Sequence, residues 1–316
     1  MTSDTESALR DRLDPEVAEA ADLVPFDDVT SEVLGTLRTV SAVETPLSDA
    51  VERTDSVAPG DPQVPLRVHR PKGLDGVLPC VYSMHGGGYV VGTHTVDDPL
   101  FDRLCPELGF VAVSVEYRLA PETPYPGPLE DCYRGFRWVY DHATDLGIDS
   151  QRIGVMGVSA GGGLAAALCL LGRDRGEMSV AFQLLESPML DDRQVTPSSR
   201  RDGLPVWSRS SNSFGWKSYL GDLYGRDDVP PAAAPARATE LGGLPPAFVS
   251  VGAVDGFRDE DVDYALRLND AGVPAELHVY PGACHGFVHL APDAPVSRRC
   301  RDNTEDWLRR QLGAGP

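Results

Sequence analysis

Gly157-Val158-Ser159-Ala160-Gly161 is a G-x-S-x-G stretch set between two contrasting kinds of sequence. Before it, Arg152 to Met156 is a short apolar run that reads as a buried strand. After it, Gly162 to Gly172 is apolar and alanine-rich and reads as a buried helix. A serine on a sharp turn from strand to helix holds its hydroxyl clear of the sheet, where a substrate can reach it. The turn is strained and crowded, so side chains two residues to either side would collide, and glycine occupies both places. The bare pattern is common by chance; a flanking strand, a helix and the further glycines at 162 and 163 make it specific.

Working outward, strands and helices alternate from Val64 onward. Strands are predicted at Val64–His69, Leu78–Met84, Phe110–Val115, Arg152–Met156, Ala181–Leu185, Ala247–Val251 and Leu277–Tyr280. Helices are predicted at Leu129–His142 and around Asp261–Asn269. Short apolar strands alternating with helices imply an α/β fold: a mostly parallel central sheet flanked by helices on both faces. Residues 1–55 are polar with helical spacing. Asp14-Pro15 reads as an N-cap with proline at the first helical position, and Leu34, Leu37 and Val40 recur at helical intervals. This segment is expected to pack over the core as part of a lid, leaving 56–316 as the main domain. Residues 192–228, rich in Ser, Arg and Gly with interspersed aromatics, break the alternation. They read as an insertion at the C-terminal edge of the sheet, where ligands bind in such folds.

Composition narrows the function. The net charge of −20, with Lys72 and Lys217 as the only lysines, argues against a nucleic-acid partner. Its arginine and aspartate bias fits either coding preference or adaptation to high salt. The first residues lack the basic start and apolar core of a signal peptide, and no apolar run is long enough to span a membrane. A soluble, cytoplasmic protein without a membrane partner is expected. The six cysteines form no C-x-x-C pair, so neither a zinc site nor a dithiol redox site is suggested. They are expected to be reduced, mostly buried thiols.

A serine hydroxyl is a poor nucleophile at neutral pH and needs a base, which in turn needs an orienting carboxylate. His285 lies just past the strand ending at Tyr280, flanked by glycines at 282 and 286. Asp255 lies just past the strand near Val251. Both follow C-terminal strand ends, on the edge that carries Ser159. The remaining histidines at 69, 94, 142 and 278 read as packed or solvated residues. His289 is four residues beyond His285, but no further ligand accompanies the pair, so no metal is expected. Asp259, Glu260, Asp261 and Asp263 read mostly as a solvated helix start. The remaining element is His85-Gly86-Gly87-Gly88-Tyr89, after the strand ending at Met84. Glycines let backbone N–H groups approach the oxygen on which negative charge develops during acyl transfer, and the N–H of Ala160 would be a further donor. His85 reads as a brace for this loop. No G-K-[ST] follows, so a phosphate loop is excluded.

These motifs resemble those of the hormone-sensitive-lipase-like carboxylesterases of the α/β-hydrolase superfamily. The resemblance rests on His85-Gly86-Gly87-Gly88, Glu116 to Glu122, Gly157 to Gly162, Pro188 to Asp191, Arg258-Asp259-Glu260 and His285-Gly286-Phe287, in the family's order. It implies an α/β-hydrolase fold with a helical cap and a triad of Ser159, Asp255 and His285. Oxyanion donors are implied at Gly87, Gly88 and Ala160. The implied activity is hydrolysis of short- to medium-chain carboxylic esters through an acyl-enzyme, with no cofactor or metal. A lipase, an amidase and a non-catalytic receptor on the same fold are the alternatives. The chain departs from the pattern at Val158, where Asp or Thr is usual, and at Gly256, where Pro is usual. The partner is a small-molecule ester. The chain would be a monomer or a homodimer, the latter paired through an edge strand near Leu277–Tyr280.

Overall fold

The computed structural model describes residues 9–26, 28–40 and 46–313. Two short helices, α1 (Pro15–Ala21) and α2 (Leu34–Val40), precede β1 (Val51–Ala58), β2 (Val64–Pro71) and β3 (Leu78–Met84). Then come α3 (Asp98–Leu108), β4 (Val111–Val115), α4 (Gly127–Asp141), β5 (Ile148–Val158), α5 (Ala160–Arg175) and β6 (Gln183–Glu186). After α6 (Arg209–Leu220) follow β7 (Ala247–Val254), α7 (Arg258–Asp270), β8 (Ala275–Cys284), the single turn α8 (Phe287–Leu290) and α9 (Pro295–Leu312).

The strands form one sheet in the order β1-β2-β4-β3-β5-β6-β7-β8. From β4 to β8 every neighbouring pair is parallel, while β1 and β2 add an antiparallel edge. Both faces are covered, which is why the central strands read as continuous apolar runs rather than alternating ones. In β3, Cys80, Tyr82 and Met84 enter the core beneath α4 and α5. Val81 points the other way, into the core beneath α3 and α9. The α5 run from Leu164 to Leu170 is buried throughout, as expected of a helix seated on a sheet and covered in turn.

Helices α3 and α9 were not predicted, β5 and β8 run past their predicted ends, and the N-terminal segment differs from the sequence reading in two ways. Strand β1 begins at Val51, within the segment read as helical. Its middle is polar and exposed, so no apolar period marks it; it is held by ladder pairing with β2 along its length, from Val51 opposite Pro71 to Ala58 opposite Val64. Helix α1 starts at Pro15 as expected, but the Asp14 side chain caps nothing. Asp14 instead donates its N–H to the Gly282 carbonyl at 2.9 Å, tying the N-terminal segment to the end of β8.

The insertion between β6 and β7 contains α6, anchored by the buried Trp216 and Tyr219, the latter stacked on Tyr89. The N-terminal segment meets this insertion directly. The Val29 N–H donates to Ser211 Oγ at 2.8 Å, and the Ser208 hydroxyl donates to Asp28. Strand β8 lies at an edge of the sheet. No helix among the described residues is long and apolar enough to cross a membrane.

Candidate active site

Parallel strands bring their C-terminal ends to one edge of the sheet, and the residues immediately after four of them meet there. Met84 of β3 is followed by His85 and the glycine loop, and Val158 of β5 by Ser159. Val254 of β7 is followed by Asp255, and Cys284 of β8 by His285.

Ser159 sits at φ 57°, ψ −121°. This region is unfavourable for a residue with a Cβ and costs on the order of 1–3 kcal/mol. The surrounding contacts enforce it. Ser159 donates its N–H to the Glu186 carbonyl at 2.8 Å, and its own carbonyl accepts from Met189 N–H at 2.9 Å and Gly163 N–H at 3.0 Å. A Cβ on Gly157 would lie 2.2 Å from the Gly161 carbonyl group, and one on Gly161 would lie 1.9 Å from the Met84 carbonyl oxygen. Both flanking glycines are therefore fixed by close backbone approach.

From the serine a hydrogen-bonded chain runs inward. Ser159 Oγ is 2.9 Å from His285 Nε2, and His285 Nδ1 is 2.8 Å from Asp255 Oδ2. The other Asp255 oxygen accepts the Phe257 N–H at 3.0 Å, which fixes the carboxylate plane. With Nδ1–H donating to the carboxylate, Nε2 is left as an acceptor for the serine hydroxyl. All three residues are buried, Asp255 most deeply at 1% exposed. The Phe257 ring meets the imidazole edge-on at 5.0 Å between centroids.

The glycine loop passes directly over the serine. A Cβ on Gly86 would stand 3.6 Å from Ser159 Cβ. Gly87 and Gly88 have φ of 117° and 59°, turning the backbone in a way other residues resist. Among the described residues, neither the Gly87 nor the Gly88 N–H has a hydrogen-bond acceptor. Ala160 is the first residue of α5, so its N–H lacks an intrahelical partner as well. His85 braces the loop. Its Nδ1 donates to the Gly86 carbonyl at 2.8 Å, and its ring stacks on Tyr117, whose hydroxyl donates to the His85 carbonyl at 2.8 Å. Burial pushes the His85 pKa down, favouring the neutral ring.

Two further neighbours bear on the site: Trp207, one of several aromatics the sequence offers as limits on the substrate, and Glu260. Trp207 lies 6.2 Å from the His285 ring, between centroids. Glu260 was read with its acidic neighbours as a solvated helix start. It is instead buried, with Oε1 accepting from Leu190 N–H at 2.9 Å and Asp191 N–H at 3.0 Å. Asp261 is buried too, and neither of its carboxylate oxygens has a hydrogen-bond partner among the described residues. These two acids lie on the inward face of the first turn of α7, a direction that composition does not reveal. Burial pushes both carboxyls well above their ordinary range.

Four of the other histidines have local partners. His69 bonds Asp98, His94 bonds Glu116, His142 bonds the Trp138 carbonyl and His278 bonds Glu276. All six cysteines are buried and unpaired. Among the described residues, no group of three or more His, Cys, Asp or Glu is placed to hold a metal ion.

Comparison with known proteins points the same way as the geometry. A sequence profile of the alpha/beta hydrolase fold matches residues 81–289. Carboxylesterase NlhH of Mycobacterium tuberculosis is 35% identical over 254 residues, covering 79% of each chain. Esterase LipI of the same species is 33% identical over 294 residues, covering 90% of this chain and 91% of its own. Among solved structures, a bacterial heroin esterase superposes with a TM-score of 0.89 at 43% identity, covering 96% of this chain and 98% of its own.

Proposed function

The chain belongs to the α/β-hydrolase family, and on that premise we propose that it is a serine carboxylesterase acting on short- to medium-chain carboxylic esters. The observation that carries this reading is the continuous chain from Ser159 Oγ through the His285 ring to Asp255, beneath a glycine loop with unpaired N–H groups.

In this reading His285 Nε2 takes the Ser159 proton as Oγ attacks the ester carbonyl carbon. The carbonyl π electrons move onto oxygen, which becomes an oxyanion facing the Gly87, Gly88 and Ala160 N–H groups. Preorganised donors of this kind contribute about 3–4 kcal/mol each to the transition state. The C–O bond to the alcohol then breaks, and the imidazolium gives its proton to the departing oxygen. Water, deprotonated by the same nitrogen, attacks the acyl carbon; the C–Oγ bond then breaks, the imidazolium returns its proton to Ser159 Oγ, and the acid leaves. Asp255 holds the tautomer that leaves Nε2 free and stabilises the imidazolium. The N-terminal helices and the insertion containing α6 act as the cap over this site.

The test is a series of p-nitrophenyl esters from acetate to palmitate, offered to the wild-type protein and to Ser159→Ala. Hydrolysis should peak at short to medium chains and fall in the variant by a factor on the order of 10⁶ in kcat. Equal rates in both proteins would refute the assignment, and a maximum at the long chains would replace it with a lipase.

A further inference from the structure

A cleft of about 800 Å³ lies between the N-terminal segment and the start of the insertion. That volume suits a drug-sized group. Leu13, Ala18, Val24, Phe26 and Leu204 give it an apolar lining, while the exposed Arg10, Asp22, Asp202 and Arg209 place charge at its rim. Every residue from Asp202 to Ser210 lines it except Trp207.

Trp207 faces the other way. A Cβ on Gly88 would lie 2.1 Å from the indole Cη2, so the ring rests on the glycine loop, and its centroid is 6.2 Å from that of His285. The preceding residue, Val206, has φ 67°, a conformation a β-branched residue rarely adopts. This backbone reversal is what sends residue 207 toward the site while its neighbours face the cleft. Asn212 of α6 holds the ring through Nε1 at 3.4 Å. The cleft also approaches the acid of the triad, since Leu204 packs over Gly256.

Which part of an ester faces this side follows from the chemistry. The departing alcohol oxygen must take its proton from His285 Nε2, so the alcohol portion lies on the His285 side of Ser159, where Trp207 stands. We infer that the cleft is a subsite for the alcohol portion of bulky esters, and that Trp207 is the specificity-determining side chain that limits access to it from Ser159. This rests on the esterase reading above.

The experiment uses two matched substrate series on the full-length protein. One holds acetate fixed and enlarges the alcohol from ethyl through phenyl and 1-naphthyl to a fused four-ring sterol. The other holds p-nitrophenol fixed and lengthens the acyl chain. Trp207→Ala should raise kcat/KM for the largest alcohols relative to ethyl acetate by about tenfold or more, with the acyl-chain profile kept. Trp207→Phe should shift the ratio the same way by less, which keeps the test decisive if the alanine variant folds poorly. Adding Ala21→Trp, which fills the cleft from the α1 side, should cancel the gain. An unchanged alcohol ratio in both Trp207 variants, a gain confined to the acyl series, or a gain that survives Ala21→Trp would overturn the inference. Absence of any ester hydrolysis by the wild-type protein would instead remove the esterase reading itself.

Discussion

Glu260 offers the sharpest test of how this elbow is held. Its Oε1 accepts two backbone N–H groups, those of Leu190 and Asp191, while Oε2 is buried without a partner among the described residues. The next residue back, Met189, donates its N–H to the Ser159 carbonyl. Glu260 therefore steadies the loop that holds the Ser159 carbonyl. Truncation by Glu260→Ala strands two donors at about 1–3 kcal/mol each, so a loss of roughly 2–6 kcal/mol is expected. Glu260→Gln keeps the accepting oxygen and the shape. Burial raises this carboxyl well above its ordinary 4.5, with Asp191 adding to the effect and the two N–H bonds opposing it. The folded state therefore keeps the proton after the unfolded chain has released it. As pH rises above about 4.5, stability falls by up to ~1.4 kcal/mol per pH unit until the folded group ionises. Glutamine has no such loss, so Glu260→Gln should match the wild type near pH 4 and gain on it toward pH 7. Urea unfolding followed by tryptophan fluorescence across that range measures all three proteins. Equal stabilities of the alanine and glutamine variants, or an alanine variant within about 1 kcal/mol of wild type, would refute this account.

Other outcomes follow from the same contacts. Asp255→Asn should preserve the fold but lower kcat by about 10⁴-fold against p-nitrophenyl acetate, because the amide favours the wrong imidazole tautomer. Gly161→Ala should fail to give soluble, active protein, since its Cβ would sit 1.9 Å from the Met84 carbonyl oxygen; near-normal yield and activity would contradict the packing described. Asp261→Asn should raise Tm at pH 7 to 8 and not at pH 4, because burial holds this carboxyl well above its ordinary range; calorimetry at the two pH values decides it. Val158→Asp should lower Tm by placing a second carboxyl beside Glu186, its register partner on β6, and adding Glu186→Gln should recover most of the loss.

The central strands and the three candidate catalytic residues were legible because the same local signals mark both. A strand buried on two faces is an apolar run, and the residue that ends it at the sheet edge stands out by position. Ser159 and Asp255 each follow such a run, whereas His285 follows the half-buried edge strand β8 and is marked by its glycine-flanked position instead. Strand β1 was not legible, since its residues satisfy a ladder rather than a core and V-E-R-T-D-S-V-A carries no apolar alternation. Glu260 and Asp261 were hidden for a related reason. Four acids near a helix start look solvated, and only the placement of α7 against β7 and the Leu190–Asp191 loop decides which of them turn inward. The direction of Trp207 was beyond the sequence because nothing in it marks the positive φ of 67° at the preceding β-branched Val206.

The two departures from the family pattern are best understood as local fits rather than losses. Gly256 does not adopt a left-handed conformation, so its backbone does not demand glycine. What limits it is space: a Cβ there would stand 3.1 Å from Leu204 Cδ1, a distance that forces the neighbour to shift. A larger residue after Asp255 would push on Leu204 and thus on the segment that leads to Trp207. At Val158 the constraint is electrostatic. The side chain lines the same crevice as Glu186, whose carboxyl is pushed up by burial. A carboxylate at 158 would add like charge to a group already paying for desolvation, whereas valine adds none. Both substitutions thus leave the chain from Ser159 to Asp255 untouched and instead accommodate residues beside it. The distinctive part of this candidate site therefore lies in the residues beside it, Leu204 and Trp207 on one side and Glu186 on the other, rather than in the proposed triad.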